Sequence, residues 1–146
     1  MVRKAFTLVE LLIVITVLGI LAATILTVVN PQDKINAAND AKVQNDINQI
    51  INALQTYAAQ DPQGWYPDPD LDVLVTAGEL NVVPKPPVGY GTDYGYIVDN
   101  GVVPPSAKVD GILKSNKSKA AAGGTGTAKW CWSSTSGVAS ILASCP

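Results

Sequence analysis

The longest apolar run of the chain begins with Phe6-Thr7-Leu8-Val9-Glu10-Leu11-Leu12-Ile13-Val14-Ile15 and continues to Val29. As an α-helix rising about 1.5 Å per residue, the run would be about 36 Å long, enough to cross a hydrocarbon core of about 30 Å. Glu10 is its one charged side chain. The sequence therefore predicts a membrane-spanning helix over residues 6–29 that carries a single carboxylate.

The flanks of this run leave three interpretations. Arg3 and Lys4 precede it, so the positive-inside rule places the N-terminus in the cytoplasm and the rest of the chain outside. A secretory signal peptide would be cut after the run, but Ala22-Ala23 is a weak site because the run continues beyond it. A plain anchor leaves Glu10 unexplained, since a carboxylate at membrane depth is costly and typical of a functional site. The third interpretation places the cut before the run.

The third interpretation matches a known pattern. Arg3-Lys4-Ala5-Phe6-Thr7-Leu8-Val9-Glu10 followed by Gly19-Ile20-Leu21-Ala22-Ala23 resembles the class III signal of type IV pilins and type II secretion pseudopilins. The resemblance implies that a prepilin peptidase cuts between Ala5 and Phe6 and methylates the new N-terminus at Phe6. It also implies that Glu10 of one subunit pairs with the Phe6 amine of a neighbour during assembly. Ala5 departs from the glycine that the family usually carries before the cut.

Composition argues against several other classes. The chain has no histidine and two cysteines, which removes Ser-His-Asp and Cys-His catalysis and leaves too few thiolates for a zinc site. A net charge of −2 does not favour nucleic acid as a ligand. Lys114, Lys117 and Lys119 cluster, but in a Ser/Ala/Gly-rich stretch that we interpret as a solvated loop rather than a polyanion site. We predict no enzyme activity, no cofactor and no direct nucleic-acid partner.

An acidic segment follows the helical region. Its carboxylates occupy positions 1, 3, 5 and 12 of an EF-hand-like frame, and they are Asp68, Asp70, Asp72 and Glu79. Pro69 stands between two of them, and Val73 occupies the position where the calcium loop needs glycine. We therefore predict turn and cap chemistry here and no metal site.

A second helical region follows the apolar run. Asn30-Pro31 marks the membrane exit, where proline should kink or interrupt the helix and Asn30 or Asp33 could cap a restart. Apolar residues then recur at helical spacing and predict one face packed on a core. They are Val43, Ile47, Ile50, Ile51, Leu54, Tyr57 and Ala58. The polar residues around them include Asp40 and Asp46.

The C-terminal part has the pattern of a small sheet. Residues 71–77 predict a short helix capped by Asp70, and strands are predicted over 94–98, 109–113, 128–132 and 138–142. Asn100-Gly101 and Ser136-Gly137 are candidate hairpin turns, and residues 115–129 a mobile surface loop. Trp130 and Trp132 are expected on one face, in the core. Cys131 and Cys145 are predicted to form a disulfide once the head lies outside the cytoplasm, as in the C-terminal region of many type IV pilins.

The predicted fold class is α+β, a lollipop in which a long N-terminal helix packs against a small antiparallel sheet. The predicted divisions are a leader (1–5), a transmembrane and assembly helix (6–29), an amphipathic second half (30–60) and a globular head (61–146). The resemblance implies a pilus subunit that polymerises with itself, with the inner membrane, the prepilin peptidase and an assembly platform as partners. A type II secretion major pseudopilin is the alternative, and an anchored binding module is a more distant one.

Overall fold

The apolar run forms one helix, α1 (Leu8–Val28), in the computed structural model. The structure describes residues 6–28, 30–68, 70–124 and 126–145, without the side chains of residues 26–28. Leu8–Ile25 has a mean hydropathy of 2.7 and none of its residues is buried, so by length and composition it is long enough to cross a membrane. The predicted apolar helix is therefore confirmed, and it stands clear of the rest of the protein.

The second helix, α2 (Pro31–Gln60), restarts at the predicted position. Asn30 has non-helical backbone angles and its side-chain oxygen accepts a hydrogen bond from the Asp33 amide at 3.3 Å. Pro31 occupies the first turn, where its missing N–H costs nothing. The break between the helices thus comes from a capped restart, and Asn30 rather than Asp33 is the cap.

The head is built on a four-stranded antiparallel sheet in the order β1-β2-β3-β4. The strands are β1 (Gly95–Asp99), β2 (Ser106–Leu113), β3 (Ala128–Ser133) and β4 (Ala139–Leu142), each within three residues of its predicted bounds. The apolar stripe of α2 packs on this sheet, and Val43, Ile47, Ile50 and Leu54 are fully buried. The α+β class and the long helix with its small sheet are confirmed.

The tryptophans lie where strand alternation predicted. Trp130 pairs with Gly111 and Trp132 with Val109, while Cys131 between them pairs with Asp110. Trp132 belongs to the hydrophobic core and Trp130 packs against it. Trp132 is therefore a core residue, Trp130 is a partly buried residue on the same face, and Cys131 lies on the opposite face of the sheet.

Both predicted hairpin turns lie in longer connections. Residues 100–105 join β1 to β2, and residues 134–138 join β3 to β4, so neither is a two-residue turn. Asn100 instead fixes another loop, since its side chain accepts from the Tyr66 amide at 3.0 Å and donates to the Tyr66 carbonyl at 2.9 Å. This pairing holds the segment after α2 against the end of the sheet.

Two other sequence predictions need correction. The loop predicted over residues 115–129 contains a helix, α4 (Asn116–Ala121), because the Ser115 side chain caps it by accepting from the Ser118 amide at 3.2 Å. The short helix α3 (Asp72–Thr76) is capped by Leu71, with no side-chain hydrogen bond. Asp70, the predicted cap, instead accepts from the Asp72 amide two residues along at 2.9 Å, which is a local turn contact.

Gly111 sets how closely α2 approaches the sheet. A methyl group there would lie 2.7 Å from Val43 Cγ1, 2.8 Å from Ile47 Cδ1 and 3.0 Å from Tyr94 Cδ1. Overpacking of this kind costs about 1–3 kcal/mol. We expect Gly111→Ala to lower the free energy of unfolding by that amount, measured by urea titration of the full chain in detergent micelles.

Gly101→Ala is the matched control for that measurement. Its added methyl would lie 3.3 Å from the carboxylate of the exposed Asp99 and near no core side chain. We expect a change within about 0.5 kcal/mol, as is usual for surface substitutions. Equal losses from the two variants would refute the close approach at Gly111.

Candidate functional site: the N-terminal helix and the near end of the head

The N-terminus of α1 carries a reciprocal set of hydrogen bonds between Thr7 and Glu10. Glu10 Oε2 accepts from the Thr7 amide and from Thr7 Oγ1, both at 2.9 Å, and Thr7 Oγ1 accepts from the Glu10 amide at 3.3 Å. This is a capping box, in which the two side chains satisfy backbone donors at the helix start. Glu10 therefore helps to cap the start of α1 within its own chain, independently of any contact with another subunit.

Sequence reasoning missed Thr7 as a partner of Glu10. The pattern Thr-x-x-Glu just before an apolar run is a local signature of a capping box, so the signal was present in residues 7–10. Phe6 precedes the box with 85% of its side chain exposed. Ala5 lies outside the described residues.

The predicted disulfide is present. Cys131 on β3 and Cys145 after β4 are joined, with their Cα atoms 5.6 Å apart. The bond closes a C-terminal loop that includes all of β4, which is one of the two edge strands of the sheet. Closing a loop of about 15 residues stabilises a fold by roughly 3 kcal/mol in the chain-entropy model. The disulfide thus fastens the last strand, which has only one neighbour, to the head.

The acidic segment after α2 uses its carboxylates locally. Asp70 accepts from Asp72, and Glu79 Oε1 accepts from Gln60 Nε2 at 2.7 Å. Within the described ranges, no three His, Cys, Asp or Glu side chains are grouped so that they could hold a metal ion. Glu79 therefore ties the segment after α3 to the C-terminal end of α2.

A buried carboxylate fixes the other end of the head. Asp40 on α2 is only 3% exposed, and it accepts from the Lys114 amide at 2.8 Å, the Ser115 amide at 3.0 Å and Ser118 Oγ at 2.7 Å. We call these four residues the Asp40 clamp. A second contact, from the Asn116 amide to Asp33 Oδ1 at 2.7 Å, lies about two helical turns nearer the membrane exit. Together these bonds dock the start of α4 on the first third of α2.

Sequence reasoning placed Asp40 among polar residues outside the apolar stripe, and it placed Asp46 there as well. Both are buried. Asp46 Oδ2 accepts from Tyr94 Oη at 2.6 Å and is paired with Lys42 Nζ. The pKa of Tyr94 is raised mainly by burial and further by the hydrogen bond to Asp46. Part of the polar side of α2 therefore lies inside the protein. There, Asp40 and Asp46 accept hydrogen bonds from residues that are distant in sequence.

The Asp40 clamp predicts a pH dependence of stability. Burial would raise the pKa of Asp40, but hydrogen bonds from Ser115, Lys114 and Ser118 outweigh it and hold the pKa below the ordinary 3.8. A carboxyl group whose pKa is lower in the folded state than in the unfolded state stabilises the fold at pH values above its unfolded pKa. That stabilisation is lost as the pH falls through the folded pKa. We therefore expect the stability advantage of wild type over Asp40→Asn to be full above about pH 5 and to shrink below pH 4.

That difference is measured by urea unfolding of both full chains in detergent micelles at each pH. Other carboxylates titrate equally in both proteins, so the subtraction isolates Asp40. An advantage that stays constant from about pH 6 to below about pH 4 would contradict the clamp.

The comparisons with known proteins concern the first part of the chain. A family model described as the prokaryotic N-terminal methylation motif matches residues 1–26. No curated protein and no solved structure matches the chain. The matched segment contains Phe6, the capping box and most of the exposed helix α1. Residues 1–26 therefore carry the prokaryotic N-terminal methylation motif, which is the class III prepilin signal of the type IV pilin and pseudopilin family.

Proposed function

We propose that this chain is a structural subunit of a type IV pilus that polymerises through α1 after its leader is removed. The observation that carries the proposal is that no residue of Leu8–Ile25 is buried, on a chain with a prepilin signal. An apolar surface of that length needs lipid or other protein around it. A bilayer provides lipid before assembly, and the α1 helices of other copies provide protein afterwards.

The proposal assigns a task to each segment. Residues 1–5 form a leader that prepilin peptidase removes by cutting between Ala5 and Phe6, and the enzyme then methylates Phe6. Residues 6–29 span the inner membrane and later line the filament core. Residues 30–60 form the amphipathic second half of the helix and residues 61–146 form the head, and both face outward because Arg3 and Lys4 stay in the cytoplasm. The protein is thus first a membrane precursor and then part of a surface filament.

Glu10 and Phe6 are the proposed assembly pair. Cutting before Phe6 creates a positive amine, and Glu10 carries a negative carboxylate at a depth where both charges are costly alone. The capping box uses Glu10 Oε2, while a carboxylate has about four lone-pair positions and can accept further bonds. Pairing between subunits can therefore be added to the box without breaking it, and it would fix the axial register of neighbouring helices.

The proposed partners follow from this cycle. They are further copies of the chain, the inner membrane before assembly, prepilin peptidase, and a platform that drives assembly. The major pseudopilin of a type II secretion system uses the same steps but builds a filament that stays within the envelope. The two functions differ in whether the filament extends from the cell surface or stays within the envelope.

Electron microscopy of sheared surface filaments, with mass spectrometry of the same fraction, tests the proposal. We expect long filaments whose main component is this chain, beginning at Phe6 and carrying one methyl group there. A processed chain found only in the cell envelope would favour the pseudopilin. An unprocessed monomer in the membrane would contradict both filament functions.

A further inference from the structure

Four lysines lie at the start of α2 or in the segment docked on it, and they are Lys34, Lys114, Lys117 and Lys119. Lys34 lies in the first turn of α2, and Lys117 and Lys119 lie on α4, which Asp33 and Asp40 dock to the first third of α2. The negative charges of those two aspartates are engaged by amides and a hydroxyl of the 114–118 segment. Five other acidic residues follow α2 in sequence, and they are Asp61, Asp68, Asp70, Asp72 and Glu79.

The lysines at this end are not committed to carboxylates of their own chain. Within the described residues, the ion pairs use Lys42, Lys85 and Lys129. Lys114 is occupied differently, because its Nζ lies 5.2 Å from the centre of the Tyr90 ring. Lys34, Lys117 and Lys119 are therefore available to an external anion.

Two exposed apolar side chains lie at the same end. Ile35 follows Lys34 and is 54% exposed, and Val88 is fully exposed at 102%. The loop that carries Val88 is held beside α2, because Tyr90 Oη donates to the Asn36 carbonyl at 3.1 Å. Lysines beside exposed aliphatic side chains are typical of surfaces that rest in a membrane interface. We call Lys34, Ile35, Val88, Lys117 and Lys119 the near-membrane surface.

Chain continuity places this surface near the bilayer. At about 1.5 Å per residue, Asp33 lies roughly 8 Å and Asn36 roughly 12 Å along the chain path beyond Val28. The headgroup region is roughly 5–8 Å thick per leaflet, and the Debye length in physiological salt is about 8 Å. A lysine stem several ångströms long can cover the remaining distance. Lys34 and Ile35 are thus within reach of lipid headgroups when α1 spans the bilayer, and Lys117 and Lys119 lie on the helix that Asp33 and Asp40 dock on the same part of α2.

We propose that the near-membrane surface binds anionic phospholipid headgroups in the outer leaflet while the subunit is a membrane-anchored monomer. This inference rests on the proposed membrane-spanning precursor. Lys34, Lys117 and Lys119 bind the headgroup phosphates, and Ile35 and Val88 enter the interface beside them. Binding holds the head against the membrane at its α4 side, and it ends when assembly withdraws α1 from the bilayer.

The test uses the full chain at one copy per lipid nanodisc, in phosphatidylcholine alone or with about one-third phosphatidylglycerol. An uncharged acylating reagent labels the lysines, and mass spectrometry gives a rate for each. Since an anionic surface attracts a nearby lysine by about 1 kcal/mol, we expect roughly fivefold slower labelling of Lys117 and Lys119 in phosphatidylglycerol discs. Lys85 should not change, and 0.5 M NaCl, chosen to reduce the Debye length to about half its physiological value, should remove the difference.

Two variants test whether the protection depends on the lysines of the near-membrane surface. Lys117→Gln should reduce the lipid-dependent protection of Lys34 and Lys119, whereas Lys85→Gln, which also removes one exposed lysine charge, should not. Equal labelling in both lipids would overturn the inference, as would protection that persists in high salt. Resistance of the chain to alkaline extraction is measured in parallel. A chain that is extracted refutes the membrane-spanning precursor itself, whereas an inserted chain without lipid-dependent protection refutes only the headgroup binding.

Discussion

Glu10→Gln is expected to reduce filaments to less than about one-tenth of the wild-type amount while leaving membrane insertion and leader cleavage intact. Two unit charges 4 Å apart attract by about 4 kcal/mol at an effective dielectric of 20. The amide of glutamine removes the negative charge and with it this attraction to the Phe6 amine. Glutamine still completes a capping box, since Glu and Gln both serve at that position. The helix start therefore survives, and the loss is specific to charge.

Two companion variants separate the roles of Glu10. Thr7→Ala removes the hydroxyl that donates to the Glu10 carboxylate and accepts from the Glu10 amide, which costs about 1 kcal/mol of helix capping, but it keeps the carboxylate. We expect it to retain most of its filaments, and Glu10→Ala to lose them as Glu10→Gln does. Sheared filaments are quantified against membrane-bound processed subunit. Abundant filaments from Glu10→Gln together with none from Thr7→Ala would assign Glu10 to capping and refute the proposed pairing.

Asp40→Ala is expected to lower the free energy of unfolding by roughly 3–5 kcal/mol. The substitution leaves the Lys114 and Ser115 amides and Ser118 Oγ without their acceptor, and each buried donor left unpaired costs about 1–3 kcal/mol. The start of α4 then loses most of its hold on α2. Urea unfolding of the full chain in micelles, followed by tryptophan fluorescence, measures the loss.

Asp93→Ala is the control for the Asp40 variant. Asp93 and Lys85 form an exposed ion pair at 3.5 Å, and such pairs contribute about 0–1 kcal/mol. A loss below about 1 kcal/mol in Asp40→Ala, similar to the control, would show that the clamp contributes little stability. A large loss in Asp40→Ala alone supports the clamp as the contact that positions α4.

The sequence predicted the features that depend on periodicity. The apolar run, the stripe on α2 and the strand alternation around Trp130 and Trp132 repeat over several residues, so the pattern is strong in one chain. The capping box was also predictable, because Thr7 and Glu10 are three residues apart. All of these features depend on residues that are close together in sequence, so they can be recognised from the sequence alone.

The Asp40 clamp and α4 could not be predicted in this way. An aspartate on a helix outside the apolar stripe is normally solvent-exposed, and the partners of Asp40 are 74 to 78 residues away in sequence. The Ser/Ala/Gly-rich composition of residues 115–129 favours a loop, and docking on α2 overrides that preference. The near-membrane surface depends on this docking, so only the three-dimensional structure brings its lysines to the membrane exit.

Electron cryomicroscopy of filaments assembled by the wild-type chain tests the central claim most directly. The account predicts α1 helices bundled at the filament axis, heads outside, and each Glu10 carboxylate within about 4 Å of a neighbour's Phe6 amine. Filaments in which α1 remains exposed, or in which Glu10 and Phe6 of neighbouring subunits lie far apart, would contradict it.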